Sequence, residues 1–278
     1  EIEVFKCHEE EDEKDNSPDE DSPAFVFLFL YAPILVLIVF SFNSSSSQTA
    51  FAGVSLRWYA DLFQDASIMN ALYNTLVVAV FSSVLATVLG TLAAVGIFGM
   101  RKSVRTAVMN VTYLPVLNPD ILTAISMMLV FSLMRIPFGL VTLIIAHTTF
   151  NIPYVILSVM PKLRQFNIST YEAALDLGAR PSFALRKVVL PEIMPGIITG
   201  MLLSFTLSID DFIISYFTKG TGVQTLPIVI YSMTRRKVTP KVNALSTLLF
   251  VVVLALLIIV NLRQSRADIK KQQGEERR

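Results

Sequence analysis

Residues 66–100 run for thirty-five positions without a charged side chain. A stretch that long and apolar cannot be the surface of a water-soluble domain. A helix of about 20 apolar residues already crosses the hydrocarbon core of a bilayer. The run has company. Residues 23–42 and 242–262 are uncharged and apolar, and 106–134, 140–160 and 192–217 are apolar with isolated interruptions such as Asp120, His147 and Asp210-Asp211. The pattern predicts an all-α polytopic membrane protein with six transmembrane helices, at about 23–42, 70–100, 106–134, 140–160, 192–217 and 242–262. The composition agrees. Only 16% of residues are charged, against roughly 25% in soluble domains.

Charge is unevenly distributed. Residues 1–22 hold eleven acids and two bases; the rest holds eleven acids and twenty-one bases. The first segment is too acidic and too poor in apolar residues to pack, and it reads as a disordered tail. Being neither basic at its start nor acid-poor, it is not expected to be a secretory signal or a transit peptide. The later bases are scattered between apolar runs, which suits loops beside anionic lipid rather than a nucleic-acid surface. Loop 101–105, insert 161–191 and the polar tail 266–278 with its lead-in are Lys/Arg-rich. That bias places them, and both termini, on the cytoplasmic side of a bacterial inner membrane. Loop 218–241 is basic too and runs against this pattern. Cys7 is the only cysteine, and His8 and His147 are the only histidines. No internal disulfide, metal site or cofactor is expected. His147, alone on an apolar span, reads as a hydrogen-bonded structural residue. Gly90 and Gly96 suit close helix packing, and Arg57–Asp65 reads as a short interfacial helix with Trp58 and Tyr59 at headgroup level.

The insert 161–191 is the feature that lipid does not explain. Ser169 and Glu172 have the spacing of a capping box. Gly178 then ends a short helix, Pro181 opens a second, and Leu190-Pro191 closes it. Two readings follow. The segment is a well-capped linker, since capping accounts for Glu172 and Gly178 unaided. Or it is a docking element, in which small Ala173 and Ala174 let another protein approach while Glu172 supplies charge.

The spacing Glu172-Ala173-Ala174, three residues, Gly178, nine residues, Val188-x-Leu190-Pro191 resembles the EAA loop of ABC importer permeases, with Val188 in place of isoleucine. Stretches 203–211 (LSFTLSIDD), 231–233 and 242–246 resemble the spermidine/putrescine branch of that family. The resemblance spans about residues 24–265 and implies a type I importer permease fold. It implies that Glu172, Ala173, Ala174, Gly178, Leu190 and Pro191 couple to an ATPase. It also implies partners: two ATP-binding subunits, a second and different homologous permease, and an extracytoplasmic substrate-binding protein. The chain itself has no phosphate-loop sequence, so it is expected to be a transporter subunit and not an enzyme. Other cargoes fit the loop equally: another organic cation, an amino-phosphonate or iron. A secondary transporter would have no use for the loop.

Carboxylates inside a bilayer are costly and mark functional sites. Asp120, Asp210 and Asp211 are the candidates for a polycation path. Asp210 and Asp211 are adjacent, so on a helix they point about 100° apart and at most one faces a central path. They could instead mark the outer end of the fifth span. Asp120 follows Asn118-Pro119 and could simply cap the helix that resumes there.

Overall fold

A computed structural model describes residues 21–46, 50–236 and 239–275; most of the acidic segment 1–22 lies outside them. The described residues form helices joined by short links. In order these are α1 (Asp21–Ser41), α2 (Arg57–Gln64), α3 (Ala66–Phe98), α4 (Lys102–Leu117), α5 (Asp120–Leu133) and α6 (Leu140–Gln165). Then come α7 (Ile168–Asp176), α8 (Pro181–Ala184), a π-helical turn (Leu185–Val189), α9 (Leu190–Asp210), α10 (Ile213–Thr218), α11 (Leu226–Arg236) and α12 (Pro240–Glu275).

Three helices are long and apolar enough to cross a membrane unaided: α3, α6 and the continuous run Pro181–Asp210. The expected span 106–134 is instead a bent pair. α4 and α5 meet at 102°, because Pro119 supplies no N–H and forces Asn118 into extended backbone, at ψ 143°. The apolar parts of α1 and α12 are shorter, Phe25–Ser41 and Pro240–Ala255. Other boundaries shift for local reasons. α3 starts at residue 66 because the Asp65 carboxylate caps it, accepting from the amides of Ser67 (3.0 Å) and Ile68 (3.4 Å). The expected span 192–217 breaks at Asp211, and loop 218–241 contains the helix α11. α12 continues past 262 into the polar tail, as far as Glu275.

The centre is a packed trio, α3, α6 and α9. Its helices touch through glycines. A Cβ on Gly90 would lie 2.7 Å from Val155 Cβ; one on Gly200 would lie 3.1 Å from Val155 Cα; one on Gly196 would lie 2.9 Å from the Ser158 carbonyl. In lipid the approach of helix backbones replaces the hydrophobic effect as the driving force, so absent side chains are what these contacts require. Gly96, by contrast, faces open space. Ala86, Ala94, Val159, Met160 and Ile193 fill the core beside the contacts.

The two ends of the trio differ. At one end Leu62, Ile68, Leu226 and Leu245 bind α2 and α11 to the starts of α3 and α12. Lys241 Nζ reaches Asp65 Oδ2 there at 2.6 Å. At the other end, where α3 and α6 finish, lie the α3–α4 loop, α7 and α8. α1 packs along α12, and its last residue, Ser41, has its hydroxyl 2.7 Å from the Tyr59 hydroxyl of α2.

Gly90→Ala is expected to lower stability by about 1–3 kcal/mol through overpacking. Gly96→Ala should be neutral or stabilising by up to ~1 kcal/mol. Thermal unfolding in detergent compares them directly. The hydrogen bond from Lys241 holds the Asp65 carboxyl below its ordinary value. A depressed folded-state value means that the pair stabilises the fold above the unfolded carboxyl's range, about pH 3.9, and loses that effect as pH falls through the lower value. Asp65→Asn keeps the capping oxygen and loses the ion pair, so its stability should depend less on pH below about 4. Acid titrations of both proteins check this.

Candidate functional site

Two regions stand out, one at the α7 end and one inside the trio. α7 begins two residues earlier than the capping box requires. Asn167 is its N-cap, and the Asn167 side chain accepts from the Ser169 amide at 3.1 Å. The expected Ser169–Glu172 box therefore does not form. Glu172 carries no capping bond and stands exposed beside exposed Ala173, while Ala174 is half-buried. The helix ends as expected. Gly178 has φ +84°, its amide donates to the Leu175 carbonyl at 2.8 Å, and the Ala179 amide donates to the Ala174 carbonyl at 3.0 Å. This is a Schellman stop, which needs a residue free to adopt positive φ. It leaves Leu177 90% exposed at the tip of the insert. α7 buries none of its residues. Beneath it is a cavity of about 360 Å³ lined by Phe98, Leu163, Phe166, Tyr171, Leu185 and Val189 among others.

Pro181 is the first residue of α8, as the sequence predicts. Leu190-Pro191 does not end a helix. It is the joint through which the insert runs into α9. A proline ring normally clashes with the carbonyl four residues back. Here the ladder widens, and the Leu190 amide bonds to the Leu185 carbonyl, five residues back. The π turn accommodates Pro191 without breaking the helix.

The three intramembrane aspartates separate. Asp211 turns inward. Its side chain is 10% exposed and its Oδ2 lies 3.5 Å from Nε2 of His147, which is 1% exposed. It also accepts from the amides of Ile214 (3.2 Å) and Ser215 (2.8 Å), capping α10. His147 Nε2 lies 3.0 Å from Ser215 Oγ, so His147 is the hydrogen-bonded structural residue that its sequence setting suggests. Asp210, one residue earlier, is exposed at the end of α9. Asp120 is exposed in the first turn of α5. It stands at the bend between α4 and α5.

Sequence reasoning missed a polar seam inside the trio. Asn151 on α6 is fully buried and donates to Ser208 Oγ at 2.8 Å and to the Ser204 carbonyl at 3.3 Å. Ser208 Oγ in turn lies 3.1 Å from Ser82 Oγ on α3. Three helices are thus joined by one hydrogen-bonded chain. The signal was present as His147-x3-Asn151 and Ser204-x3-Ser208, two polar i, i+4 pairs on apolar helices. Gly196-x3-Gly200 was an equally legible small-residue stripe.

The family model described as binding-protein-dependent transport system inner membrane component matches residues 86–267. The spermidine/putrescine transport system permease protein PotC of Escherichia coli (strain K12) is 40% identical over 206 residues, covering 74% of this chain and 78% of that one. The PotC protein of Haemophilus influenzae is 37% identical over 213 residues, with coverages of 77% and 83%. The putrescine transport system permease protein PotI of Escherichia coli (strain K12) is 39% identical over 209 residues, with coverages of 72% and 74%. Among solved structures, a chain of a bacterial ABC transporter involved in the import of alginate superposes with a TM-score of 0.67 at 17% identity, covering 88% of this chain and 93% of that one. A chain of the MetNI methionine ABC transporter gives 0.59 at 20% identity, covering 73% and 98%. These last two likenesses are of fold.

Asp211→Ala is expected to leave two amides and the buried imidazole short of an acceptor, costing about 1–3 kcal/mol. Asp210→Asn should stay within ~0.5 kcal/mol of the parent, as surface changes do. Unfolding midpoints of the two variants separate the inward aspartate from the outward one.

Proposed function

The chain belongs to the family of binding-protein-dependent transport system inner membrane components, and on that premise we propose that it is the permease subunit of an ATP-driven importer of polyamines. The observation that carries the cargo is the 37–40% identity, over about three quarters of the chain, to spermidine/putrescine permeases. Six spans complete the unit. α1 and α12 flank α3, the α4–α5 pair, α6 and α9, with the α7 end in the cytoplasm together with both termini. The positive-inside bias supports that orientation.

Energy comes from two ATP-binding subunits. α7 is the element that docks on them. Its exposed Glu172 and Ala173, half-buried Ala174 and Schellman stop at Gly178 present a short rigid helix held at its ends. Motion of α7 passes through α8 and the π turn at Leu190-Pro191 straight into α9, because the helix there is unbroken. α9 is tied to α6 and α3 by the glycine contacts and by Asn151–Ser208–Ser82. A push on α7 therefore moves the trio as one body, which is the two-state element that coupling needs.

The path runs along the exposed face that carries Asp120 and Asp210, against a second, homologous and different permease. Exposed carboxylates at membrane depth are tolerable only beside water or a partner. A polycation needs such groups spaced out so that it can leave each one again. Asp211, bound to His147, instead fixes the end of α9 and the position of Asp210. An extracytoplasmic binding protein delivers cargo at the α2–α11 end.

Glu172→Lys should abolish co-purification with the ATP-binding subunits while the permease still assembles. Asp210→Asn should leave that association intact and lower spermidine uptake by about tenfold, equivalent to about 1.4 kcal/mol. Uptake by cells lacking their own importer measures the second effect. Full uptake by Asp210→Asn would remove the acid from the path.

A further inference from the structure

The cavity under α7 lies where the trio meets the insert, and four elements wall it. Val95 and Phe98 come from the last turn of α3, Leu163 from the last turn of α6, Tyr171 from α7, and Leu185 and Val189 from the π turn. Its volume is about 360 Å³ and its lining is mostly apolar. α3 has 33 residues, which at 1.5 Å per residue is about 50 Å. A bilayer with its headgroup layers is roughly 40–45 Å thick, so the ends of α3 reach those layers. Phe98, the last residue of α3, stands at headgroup level, and Val95 lies one turn deeper.

A cation is fixed on the wall of this cavity. Arg105, half-buried in the first turn of α4, holds its guanidinium 5.9 Å from the centre of the Phe98 ring. Its Nη1 donates to the Phe98 carbonyl at 3.4 Å. A guanidinium has five N–H donors, and Arg105 forms no ion pair among the described residues. Its remaining donors suit the oxygens of a phosphate. The chain on either side of the lining residues has the same sign. Lys162 and Arg164 adjoin Leu163, and Arg186 adjoins Leu185, whereas Glu172, beside Tyr171, is the one acid next to a lining residue. An apolar space at headgroup level with a cation on its wall matches an amphiphile that carries negative charge. Basic pockets between membrane helices take acidic lipid headgroups for this reason.

We propose that this cavity binds one anionic phospholipid, with an acyl chain between α3, α6, α7 and the π turn and its phosphate on Arg105. The apolar lining gives affinity for the chain whatever the headgroup. Arg105 gives the preference for negative charge. The lining belongs partly to the insert and partly to the trio, so the lipid fills the joint between them and steadies α7. Its bearing on ATP coupling rests on the docking role proposed above for α7; the binding and the steadying do not.

Native mass spectrometry of the full chain, released from detergent with phosphatidylglycerol or phosphatidylcholine added, tests the site. One phosphatidylglycerol adduct should be retained severalfold better than the phosphatidylcholine adduct. Val95→Trp and Ser182→Trp place an indole in the cavity from α3 and from α8, and each should abolish that adduct. Arg105→Gln should lower phosphatidylglycerol retention severalfold and leave phosphatidylcholine unchanged. Equal retention of the two lipids by the parent, or undiminished phosphatidylglycerol on both tryptophan variants, would overturn the site. Displacement of the lipid by inorganic phosphate alone would assign Arg105 to a free anion and overturn it too. Loss of the lipid when the ATP-binding subunits assemble would give the cavity to that partner, again against the proposal. In nanodiscs, amide hydrogen exchange over 168–176 should slow severalfold with phosphatidylglycerol in the parent and ignore the headgroup in the tryptophan variants. Exchange that ignores the headgroup in the parent would overturn the steadying. If Glu172→Lys leaves the ATP-binding subunits bound, the docking role of α7 fails while the adducts still decide the lipid site.

Discussion

Everything in this molecule depends on how closely α6 can approach α3 and α9. Val155 sits between Gly90 and Gly200, and Ser158 sits against Gly196. Lipid is as apolar as a leucine side chain, so burying leucine gains little there. Contact between backbones, made possible by missing side chains, supplies dispersion over a long seam. The close approach also lets Asn151 reach Ser208 and Ser208 reach Ser82. Were the helices one methyl farther apart, these hydrogen bonds would lengthen beyond use. Packing and polar satisfaction are thus a single constraint.

In the proposed coupling, that constraint is what would let the insert act at a distance. α7 is lightly held, burying none of its residues, and a short link after Gly178 joins it to the run Pro181–Asp210, in which α8, the π turn and α9 are continuous. A helix that tolerates Pro191 by widening, rather than by breaking, carries displacement along its axis. The trio then responds as a rigid body, and the parts that are not in it, α5 with its sharp bend and α10 beyond Asp211, are the parts that carry or position the outward acids. The proposed function would thus put stiffness where force enters and breaks where cargo passes.

Much of this was legible from local sequence. Gly178 and Pro181 reveal their roles because positive φ and a helix first turn each have few occupants. Asn118-Pro119 signals a break, although not its 102° angle, which depends on what α5 packs against. Other features needed partners distant in sequence. Asn167 and Ser169 are both good N-caps, and only the packing of Phe166 and Tyr171 selects the first. Leu190-Pro191 has the look of a stop, and the π turn that bypasses it is set by Val189 and Ile193 entering the core. Asp210 and Asp211 are neighbours with opposite fates, decided by His147 more than sixty residues earlier. α11 was hidden by the charges around it, although Leu226 and Val229 bury in a cluster with residues of α2, α3 and α12.

The most direct measurement is accumulation of labelled spermidine in proteoliposomes that contain this chain, its partner permease, the ATP-binding subunits and the binding protein. The account predicts that spermidine accumulates against its gradient only when ATP is supplied to the side bearing α7. Equilibration of spermidine without ATP, or a fully assembled complex that hydrolyses ATP but never moves polyamine, would contradict it.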